Sequence, residues 1–268
     1  MQAPTILVFD SGLGGLTVFR EIVKARPDAR YVYLADDARF PYGRIPEAEL
    51  IDRVLAVIGD AVRAYAPDMV VIACNTASTL ALKELRAAFA VPFVGTVPAI
   101  KPACAGSRSR LVSVLGTEAT VKREYTKALI REFAQGCAVT LVGSASLAAF
   151  AEAELHGKPA SDEAIAAEIA PCFVTEDGRR TDGVVLACTH YPLLGERLRR
   201  LAPWPVDWID PAPAIARRVV DLIGPPGSGD PLPAVLAFTS GRRPSPALAA
   251  ALGGFGFREK IDFPDSSP

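Results

Sequence analysis

The chain has 268 residues, of which 50% are hydrophobic and 22% are charged, and its formal net charge is −1. This hydrophobic content is enough for a sizeable core and excludes an intrinsically disordered chain. The balanced charge disfavours a nucleic-acid-binding protein. The sequence contains no uninterrupted run of about 18 apolar residues, so we expect no membrane span. The first apolar run lacks the flanks of a signal peptide, so we expect a cytoplasmic protein.

The five cysteines indicate neither a disulfide framework nor a zinc site. Their number is odd, no Cys-x-x-Cys pair occurs, and the histidines are only His156 and His190. Disulfide-rich domains and zinc sites both depend on regular spacing of such residues. We therefore expect no metal, and we interpret Cys104, Cys137 and Cys172 as small buried hydrophobic residues.

Strand-like apolar runs alternate with amphipathic helical stretches in the first part of the chain. The predicted strands are Thr5–Phe9, Tyr31–Leu34, Met69–Ala73 and Phe93–Gly95. The predicted helices are Leu16–Lys24, Glu47–Tyr65 and Ser78–Phe89. This alternation predicts a parallel sheet with right-handed crossovers.

The same alternation restarts in the second part of the chain. The predicted strands are Arg110–Leu115, Val139–Val142, Val184–Ala187 and Val206–Ile209. The predicted helices are Val121–Phe133, Ser144–Leu155, Asp162–Phe173, Leu193–Leu201 and Pro213–Ile223. A loop rich in Pro, Gly and Ser is predicted at Pro225–Pro233, followed by a strand at Val235–Phe238 and a helix at Pro246–Leu252.

A sequence repeat relates the two parts. Asp68–Thr76 (DMVVIACNT) and Asp182–His190 (DGVVLACTH) share the Asp, both Val, the Ala and the Cys. We therefore predict two pseudo-symmetric α/β domains with parallel sheets, and an active site in the cleft between them. Residues 1–97 with 213–268 would form the first domain, to which the last strand and helix return, and residues 98–212 the second.

The repeated segment reads as a buried parallel strand that ends in a thiol. Ligands of open α/β sheets bind at the carboxyl ends of the strands. Cys74 and Cys188 are therefore expected to face one cleft from opposite sides.

A glycine-rich turn follows the first strand, at Asp10–Thr17 (DSGLGGLT). A strand, a glycine-rich turn and a helix start form an anion-binding arrangement. The turn matches neither G-x-G-x-x-G nor a P-loop, so no nucleotide site is indicated. Asp10 is open to two interpretations, as a turn or N-cap residue and as a functional group of the cleft.

The loop after the second strand contains a defined turn at Pro41–Gly43. It carries the aromatic hydroxyl of Tyr42. Because it follows the carboxyl end of a neighbouring strand, it is a candidate cleft wall.

Each thiol is followed by groups that are expected to lower its pKa or relay its proton. We expect a helix N-terminus directly after Cys74, with Asn75 or Thr76 as N-cap, and another after Cys188. His190 lies two residues beyond Cys188 and is placed to polarise it or relay its proton.

Two thiols in one cleft favour a reaction that inverts a stereocentre. Acyl transfer needs one cysteine with a histidine, and a redox pair needs sulfurs close enough to bond. Inversion at carbon needs two acid–base groups on opposite faces, one that removes a proton and one that returns it. The repeat therefore predicts stereoinversion.

Four motifs, in order and at normal spacing, resemble those of bacterial glutamate racemases, members of the cofactor-independent aspartate/glutamate racemase family. They are Val8–Leu16 (VFDSGLGGL), Pro41–Gly43 (PYG), Ala73–Ser78 (ACNTAS) and Cys188–Leu194 (CTHYPLL). The resemblance covers essentially the whole chain. It implies an isomerase that interconverts L- and D-glutamate without a cofactor and supplies D-glutamate for peptidoglycan, cell wall biogenesis and cell shape.

The resemblance also implies roles for individual residues. Cys74 and Cys188 would be the two catalytic bases. Asp10 would assist Cys74, and His190 with Glu152 would assist Cys188, with Glu154 as the alternative to Glu152. Substrate would be held by Asp10, Ser11, Tyr42, Gly43, Asn75, Thr76, Thr189 and His190.

Two further segments, Val97–Pro102 and Thr117–Tyr125, resemble the Gram-negative branch of the family. Some members of that branch are activated by UDP-N-acetylmuramoyl-L-alanine. Arg110, Lys122 and Arg123 are candidates to meet its phosphates, with exposed helix charges as the other interpretation. The resemblance leaves the association state open, and a homodimer is one possibility.

Two alternatives remain open at this point. One is an aspartate or other amino-acid racemase of the same superfamily, since substrate choice depends on cleft depth and carboxylate contacts. The other is a binding role, because some relatives of glutamate racemase inhibit DNA gyrase. The thiol pair, Asp10 and His190 favour catalysis as the main role.

Overall fold

The computed structural model describes residues 3–229 and 233–257. Its strands are β1 (Thr5–Asp10), β2 (Arg30–Ala35), β3 (Met69–Ile72), β4 (Phe93–Gly95), β5 (Leu111–Thr117), β6 (Ala138–Ser144), β7 (Thr175–Glu176), β8 (Arg179–Arg180), β9 (Gly183–Ala187), β10 (Asp207–Ile209) and β11 (Val235–Phe238). Its helices are α1 (Leu16–Ala25), α2 (Glu47–Tyr65), α3 (Asn75–Ala88), α4 (Ile100–Gly106), α5 (Glu118–Lys122), α6 (Glu124–Phe133), α7 (Leu147–Leu155), α8 (Asp162–Ile169), α9 (Gly195–Leu201), α10 (Ala212–Ile223) and α11 (Pro246–Gly253). Across these described ranges, no helix combines the length and hydropathy needed to cross a membrane.

The strands form two parallel sheets, which confirms the predicted α/β class. The first sheet has the order β11-β2-β1-β3-β4 and the second the order β10-β9-β5-β6. All pairings within both sheets are parallel. Each sheet therefore has a single edge of carboxyl ends, and each edge carries one of the two repeated cysteines, after β3 and after β9.

Central strands of the first sheet have long apolar runs because both faces of the sheet are covered. Ile6 to Phe9 of β1 and Val70 to Ile72 of β3 are fully buried. One core lies between the sheet and α1 with α10, and the other between the sheet and α2 with α3. This two-sided burial is typical of parallel sheets.

The last described part of the chain packs on the first sheet. β11 pairs with β2 in parallel, and α10 packs against α1. The domain boundaries at 97/98 and 212/213 stay a prediction. Residues 258–268, which that prediction assigns to the first domain, and residues 230–232 of the predicted loop lie outside the described residues.

Helix starts are where the structure departs most from the prediction. Helix α3 begins at Asn75 rather than Ser78, because Cys74 itself is the N-cap. The predicted helix Val121–Phe133 is two helices, α5 and α6, separated at Arg123, whose backbone is extended. The prediction missed α4 and the antiparallel pair of β7 and β8.

The α-helix expected after Cys188, at Leu193–Leu201, begins two residues later than predicted. A 3-10 turn at Tyr191–Leu194 comes first, and α9 begins only at Gly195. Pro192 has no N–H to donate to the carbonyl of Cys188, so the backbone makes the tighter turn, with the N–H of Tyr191 donating there. Two other helices are shorter than predicted. Helix α7 begins at Leu147 rather than Ser144, and α8 ends at Ile169 rather than Phe173, where a 3-10 turn follows.

Candidate active site

Cys74 and Cys188 line one small cavity between the two sheets, which we call the inner cavity. Its lining consists of Ser11, Phe40, Pro41, Tyr42, Gly43, Cys74, Asn75, Thr76, Thr117, Ala148, Ala187, Cys188, Thr189 and His190. Both thiols are almost fully buried, at 5% and 7% exposed. The inner cavity leaves about 20 Å³ for the centre of a water-sized sphere. The sheet edges thus bring both repeated thiols to one enclosed site.

The Cys74 thiol is held at the start of α3. Its Sγ accepts the backbone N–H of Ala77 at 3.5 Å and lies 3.6 Å from Oγ of Ser11. The expected N-caps, Asn75 and Thr76, are therefore the first helical residues instead. Burial and the neighbouring Asp10 together raise the pKa of Cys74 to about 12, against the opposing effect of the Ala77 N–H. The free protein consequently keeps Cys74 as a neutral thiol.

Asp10 links the two halves of the site. Its Oδ2 accepts the N–H of Gly12 at 3.0 Å, and its Oδ1 accepts the hydroxyl of Thr189 at 3.1 Å. Burial raises the pKa of Asp10, and His190 opposes that rise. Asp10 is thus a turn residue and a buried group between the two halves, and its functional role stays a prediction.

Cys188, His190 and Glu152 form a row of contacts. Sγ of Cys188 lies 4.0 Å from Nδ1 of His190, and Nε2 of His190 lies 2.7 Å from Oε2 of Glu152. Burial lowers the pKa of His190, but its contacts with Cys188 and Glu152 outweigh burial and raise the pKa well above the ordinary value. The raised pKa favours the protonated ring, an imidazolium, which is suited to stabilising a thiolate at position 188.

Glu154, the alternative to Glu152, faces another group. Its Oε2 accepts from the guanidinium of Arg197 at 3.1 Å. Arg197 also donates to Asp162. The structure places Glu152, and not Glu154, against His190.

The glycine-rich turn after β1 receives side chains of the second sheet's helices and loops. The N–H of Leu13 donates to Oε2 of Glu152 at 3.1 Å, and the nitrogen of Gly14 lies 3.2 Å from Nε2 of His190. A Cβ at Gly14 would lie 2.3 Å from Nδ1 of His190, so this position has no room for a side chain. The anions that this turn binds are carboxylates of the protein itself, those of Asp10 and Glu152.

Tyr42 lines the inner cavity, but its hydroxyl is taken. It donates to Oδ2 of Asp36 at 2.6 Å, and Asp36 also accepts from Arg53 and Thr239. Burial and the neighbouring Asp36 both raise the pKa of Tyr42. Burial also raises the pKa of Asp36, but the hydrogen bonds that Asp36 accepts outweigh burial and lower it. Tyr42 and Gly43 thus contribute a wall of the cavity.

Asn75 has polar atoms without a partner. Its side chain is 3% exposed, and neither Oδ1 nor Nδ2 has a hydrogen-bond partner among the described residues. Buried amides are nearly always bonded, so such an exception needs an explanation. Since Asn75 lines the inner cavity, both atoms are available to a ligand there. Thr76 lies beside it, with Oγ1 3.5 Å from Oγ1 of Thr120.

Thr117 and Phe40 were missed by sequence reasoning. Thr117 ends β5, lines the inner cavity and caps α5. Its position after a buried strand in the second sheet was a usable signal. Phe40 packs its ring against that of His190, with centroids 5.1 Å apart, and nothing in its local sequence indicates that contact.

Of the three basic residues considered for a phosphate, Arg123 is not an exposed helix charge. It is 9% exposed, and Nη1 donates to the carbonyl of Thr76 at 3.0 Å and to the hydroxyl of Thr79 at 3.1 Å. Arg110 is exposed at the start of β5, and Lys122 is exposed on α5. Arg123 therefore ties α3 to the second sheet's helices.

Comparisons with known proteins agree on one family. Residues 6–219 match the family described as Asp/Glu/Hydantoin racemase. The chain is 55% identical over 256 residues to the glutamate racemase of Brucella canis, an alignment that covers 94% of this chain and 92% of that protein. It is 56% identical over 256 residues to the glutamate racemase of Sinorhizobium fredii, with 94% and 95% covered.

Solved structures agree as well. The crystal structure of Escherichia coli glutamate racemase in complex with L-glutamate and the activator UDP-MurNAc-ala superposes with a TM-score of 0.87 at 39% identity. That match covers 97% of this chain and 98% of the other.

Proposed function

This chain belongs to the Asp/Glu/Hydantoin racemase family and is an amino-acid racemase, and we propose that it interconverts L- and D-glutamate with two cysteine bases. The observation that supports the two-base mechanism is that Cys74 and Cys188, from the edges of two different sheets, line the same inner cavity. The substrate assignment rests on the likeness to glutamate racemases at 55% and 56% identity.

In the proposed reaction, a thiolate on one side of the substrate removes the proton from Cα. The thiol on the other side then donates its own proton to the opposite face of the resulting carbanion. The configuration is inverted, the first cysteine ends as a thiol and the second as a thiolate. A pair of this kind works in both directions, because each cysteine is an acid in one direction and a base in the other.

The two thiols would be prepared in different ways. His190, as an imidazolium paired with Glu152, faces Cys188 and would stabilise its thiolate. Cys74 is a neutral thiol in the free protein and is placed to donate first. Asp10, whose pKa is raised by burial, would take the proton of Cys74 when the reaction runs the other way.

Substrate would be held by groups around the inner cavity. We propose that Asn75 bonds a carboxylate or the ammonium of glutamate through its unpartnered amide. Ser11, Thr76 and Thr189 would supply hydroxyls, and Tyr42 and Gly43 would shape the wall. A charged substrate group would give these bonds their strength.

A circular-dichroism assay tests the function. The purified protein is dialysed against a chelator and given no added cofactor. Starting from L-glutamate or from D-glutamate, the circular-dichroism signal should decay to zero, because both reactions end at the same mixture of the two enantiomers. L- and D-aspartate are assayed in parallel. Faster racemisation of aspartate, or a strict need for pyridoxal phosphate, would contradict the proposal.

We propose that the D-glutamate serves peptidoglycan synthesis. Expression of this chain should restore growth of a bacterium that depends on added D-glutamate. A variant lacking Cys74 should not restore it. Growth that needs D-glutamate despite normal expression would contradict this role.

We also propose that a muropeptide nucleotide activates the enzyme, because the similar E. coli structure contains one. Adding UDP-MurNAc-ala should raise kcat/KM, and sedimentation of the same samples would give the association state. Of the exposed candidates, Arg110→Gln is expected to weaken activation if it meets the phosphates. Equal activity with and without the compound would contradict activation.

The free thiols point to a reducing compartment. Cys74, Cys104, Cys137, Cys172 and Cys188 are all unpaired, and the proposed bases act only when reduced. We propose the cytoplasm as the location, which cell fractionation of the tagged protein would test.

A further inference from the structure

The inner cavity is too small for the proposed substrate. Its 20 Å³ admits the centre of roughly one or two water molecules, and glutamate is several times larger than a water molecule. Some part of the lining must therefore move before an amino acid reaches Cys74 and Cys188.

A larger, open depression adjoins the inner cavity on one side, and we call it the outer depression. It has a volume of about 710 Å³. Its lining consists of Phe40, Ala149, Glu152, Ala153, His156, Lys158, Ser245, Pro246 and Ala247. Phe40 lines both spaces, so its ring is part of the wall that separates them.

The ring of Phe40 is held by contacts with two groups. Its centroid lies 5.1 Å from that of His190, at an interplanar angle of 36°. A Cβ at Gly12 would lie 3.0 Å from the Phe40 ring, so the ring covers the glycine-rich turn closely. These are contacts of an apolar ring alone, which a rotation of the side chain can break.

Hydrogen bonds hold the side chains of residues on both sides of Phe40. Asp37 accepts the N–H of Ser240 at 3.0 Å, and the hydroxyl of Tyr42 donates to Asp36 at 2.6 Å. Phe40 itself is only partly buried, so its ring has space on the side of the outer depression. Rotation of the Phe40 ring breaks neither of these hydrogen bonds, so it can open the wall without moving the whole loop.

We propose that glutamate reaches the thiols from the outer depression and that the ring of Phe40 is the movable wall it passes. This inference rests on the proposed function for the identity of the substrate. The ammonium of Lys158 on the rim suits an incoming dicarboxylate, because it raises the local concentration of anions.

The test measures access to the thiols without any substrate. The protein is treated with iodoacetamide, and the alkylation rates of Cys74 and Cys188 are read from peptide masses. In Phe40→Ala both rates should rise by about two- to tenfold, the change in an open–closed equilibrium expected from losing an aromatic contact. Cys137, which is half-buried outside the inner cavity, serves as the internal reference and should react at an unchanged rate.

Phe89→Ala is the matched control, because it removes another half-buried ring, at the end of α3 opposite to Cys74. It should leave both alkylation rates at the wild-type value. Phe40→Leu, which keeps an apolar side chain, replaces Phe40→Ala if the latter does not fold.

A second variant should act in the opposite direction. Ala149 lies exposed on α7 in the lining of the outer depression, and Ala149→Trp would fill part of it. Both thiols should then be alkylated more slowly, and kcat/KM for glutamate should fall. Ala167→Trp, at an exposed position of α8, is the control and should change neither.

Opposite changes at both thiols in the two variants would support the route. Unchanged rates would overturn it, and so would a rise confined to Cys188, which would report only an altered surrounding of His190. Because alkylation requires no turnover, a protein that shows the opposite changes but racemises nothing would contradict the proposed function alone. A protein that racemises glutamate but shows no changes would contradict the route alone.

Discussion

Oε2 of Glu152 lies 2.7 Å from Nε2 of His190, in a pair that is almost closed off from solvent. The same oxygen accepts the N–H of Leu13 from the glycine-rich turn of the first sheet. One carboxylate thus orients the imidazole beside Cys188 and fastens it to the opposite half of the site. The consequences of this contact, and of others in the site, can be measured.

The first prediction concerns the Glu152–His190 pair. Glu152→Gln removes the carboxylate that helps to raise the pKa of His190, so that pKa should fall relative to the wild type. The imidazolium is present below the pKa of His190 and lost above it, so the alkaline limb of the kcat profile should move to lower pH. At neutral pH activity should fall by roughly ten- to a hundredfold.

Glu154→Gln is the matched control for that experiment. It changes a carboxylate two residues away that contacts Arg197 instead. Its pH profile and kcat should be close to those of the wild type. If Glu154→Gln and not Glu152→Gln moved the alkaline limb, the assignment of Glu152 would be wrong.

The second prediction concerns the two thiols. Cys74→Ala and Cys188→Ala should each lower racemisation by about 10²- to 10⁴-fold, because one of the two acid–base groups is missing. Each single variant should still eliminate a leaving group from a suitable substrate analogue, since proton removal and return are separate steps. Cys104→Ala, at a buried thiol outside the inner cavity, should remain active. Near-normal racemisation by either single variant would exclude the two-base mechanism.

The third prediction separates binding from stability at Asn75. Asn75→Ala should raise KM about tenfold, because a hydrogen bond to a charged substrate is lost. It should not lower the melting temperature of the free protein, because the amide has no partner there to lose. Thermal melts with and without D-glutamate measure both effects.

Ser78→Ala provides the contrast to Asn75→Ala. Its hydroxyl accepts the N–H of Thr96 at 2.8 Å and donates to the carbonyl of Ile72. Removing a fully bonded buried hydroxyl should destabilise the free protein. A loss of stability in Asn75→Ala as large as that in Ser78→Ala would contradict a role in ligand binding.

The fourth prediction concerns the close approach of Gly14 to His190. Gly14→Ala places a Cβ 2.3 Å from Nδ1 and 2.6 Å from the backbone nitrogen of His190, so the ring must be displaced from its place between Glu152 and Cys188. A displacement of that size should lower kcat by about 10²-fold. Gly106→Ala, where a Cβ meets nothing within 4 Å, is the control. Full activity of Gly14→Ala would show that the imidazole position is unimportant.

The fifth prediction concerns a buried ion pair away from the site. Nε and Nη2 of Arg26 donate to the two oxygens of Asp28, each at 3.0 Å, and the N–H of Gly227 donates to Asp28 at 2.9 Å. Asp28→Asn leaves the Arg26 charge unpaired and should lower the free energy of unfolding by about 3 kcal/mol. Urea unfolding at pH 7 measures it, and the exposed Asp60→Asn should have little effect.

The same pair sets a pH dependence. The hydrogen bonds from Arg26 lower the pKa of Asp28 from 3.8 to about 2. A carboxyl whose pKa is lower in the folded state contributes stability that is present above its unfolded pKa and is lost as the pH falls through the folded value. Wild-type stability should therefore decline between pH 4 and 2 by more than that of Asp28→Asn. Parallel declines would contradict this linkage.

Much of the fold follows from local patterns. The apolar runs of β1 and β3 are long enough to be recognised, because strands covered on both faces exclude polar residues. Helix α2 has the predicted bounds, since its periodicity is uninterrupted and it ends before an Ala in a left-handed conformation. In contrast, the break at Arg123 was not predictable, because it depends on a guanidinium that bonds Thr76 and Thr79 from another helix.

The candidate site divides in the same way. Cys74 and Cys188 were predicted to meet because a repeated strand delivers its last residue to the same edge of each sheet. Phe40 was missed, since its contact with His190 joins segments far apart in the chain. Asn75 was predicted to bind substrate, but only the structure shows that its amide is left without a partner.

The sequence by itself determined the α/β class, the strands that carry the two thiols and the family to which they belong. These features depend on the order and polarity of neighbouring residues, which a chain carries before it folds. Only the tertiary structure decided that Glu152 rather than Glu154 meets His190, that Cys74 caps its own helix, and that Phe40 covers the site. Each of these depends on the distance between atoms of different elements, and that distance is set by how the two sheets and their helices pack together.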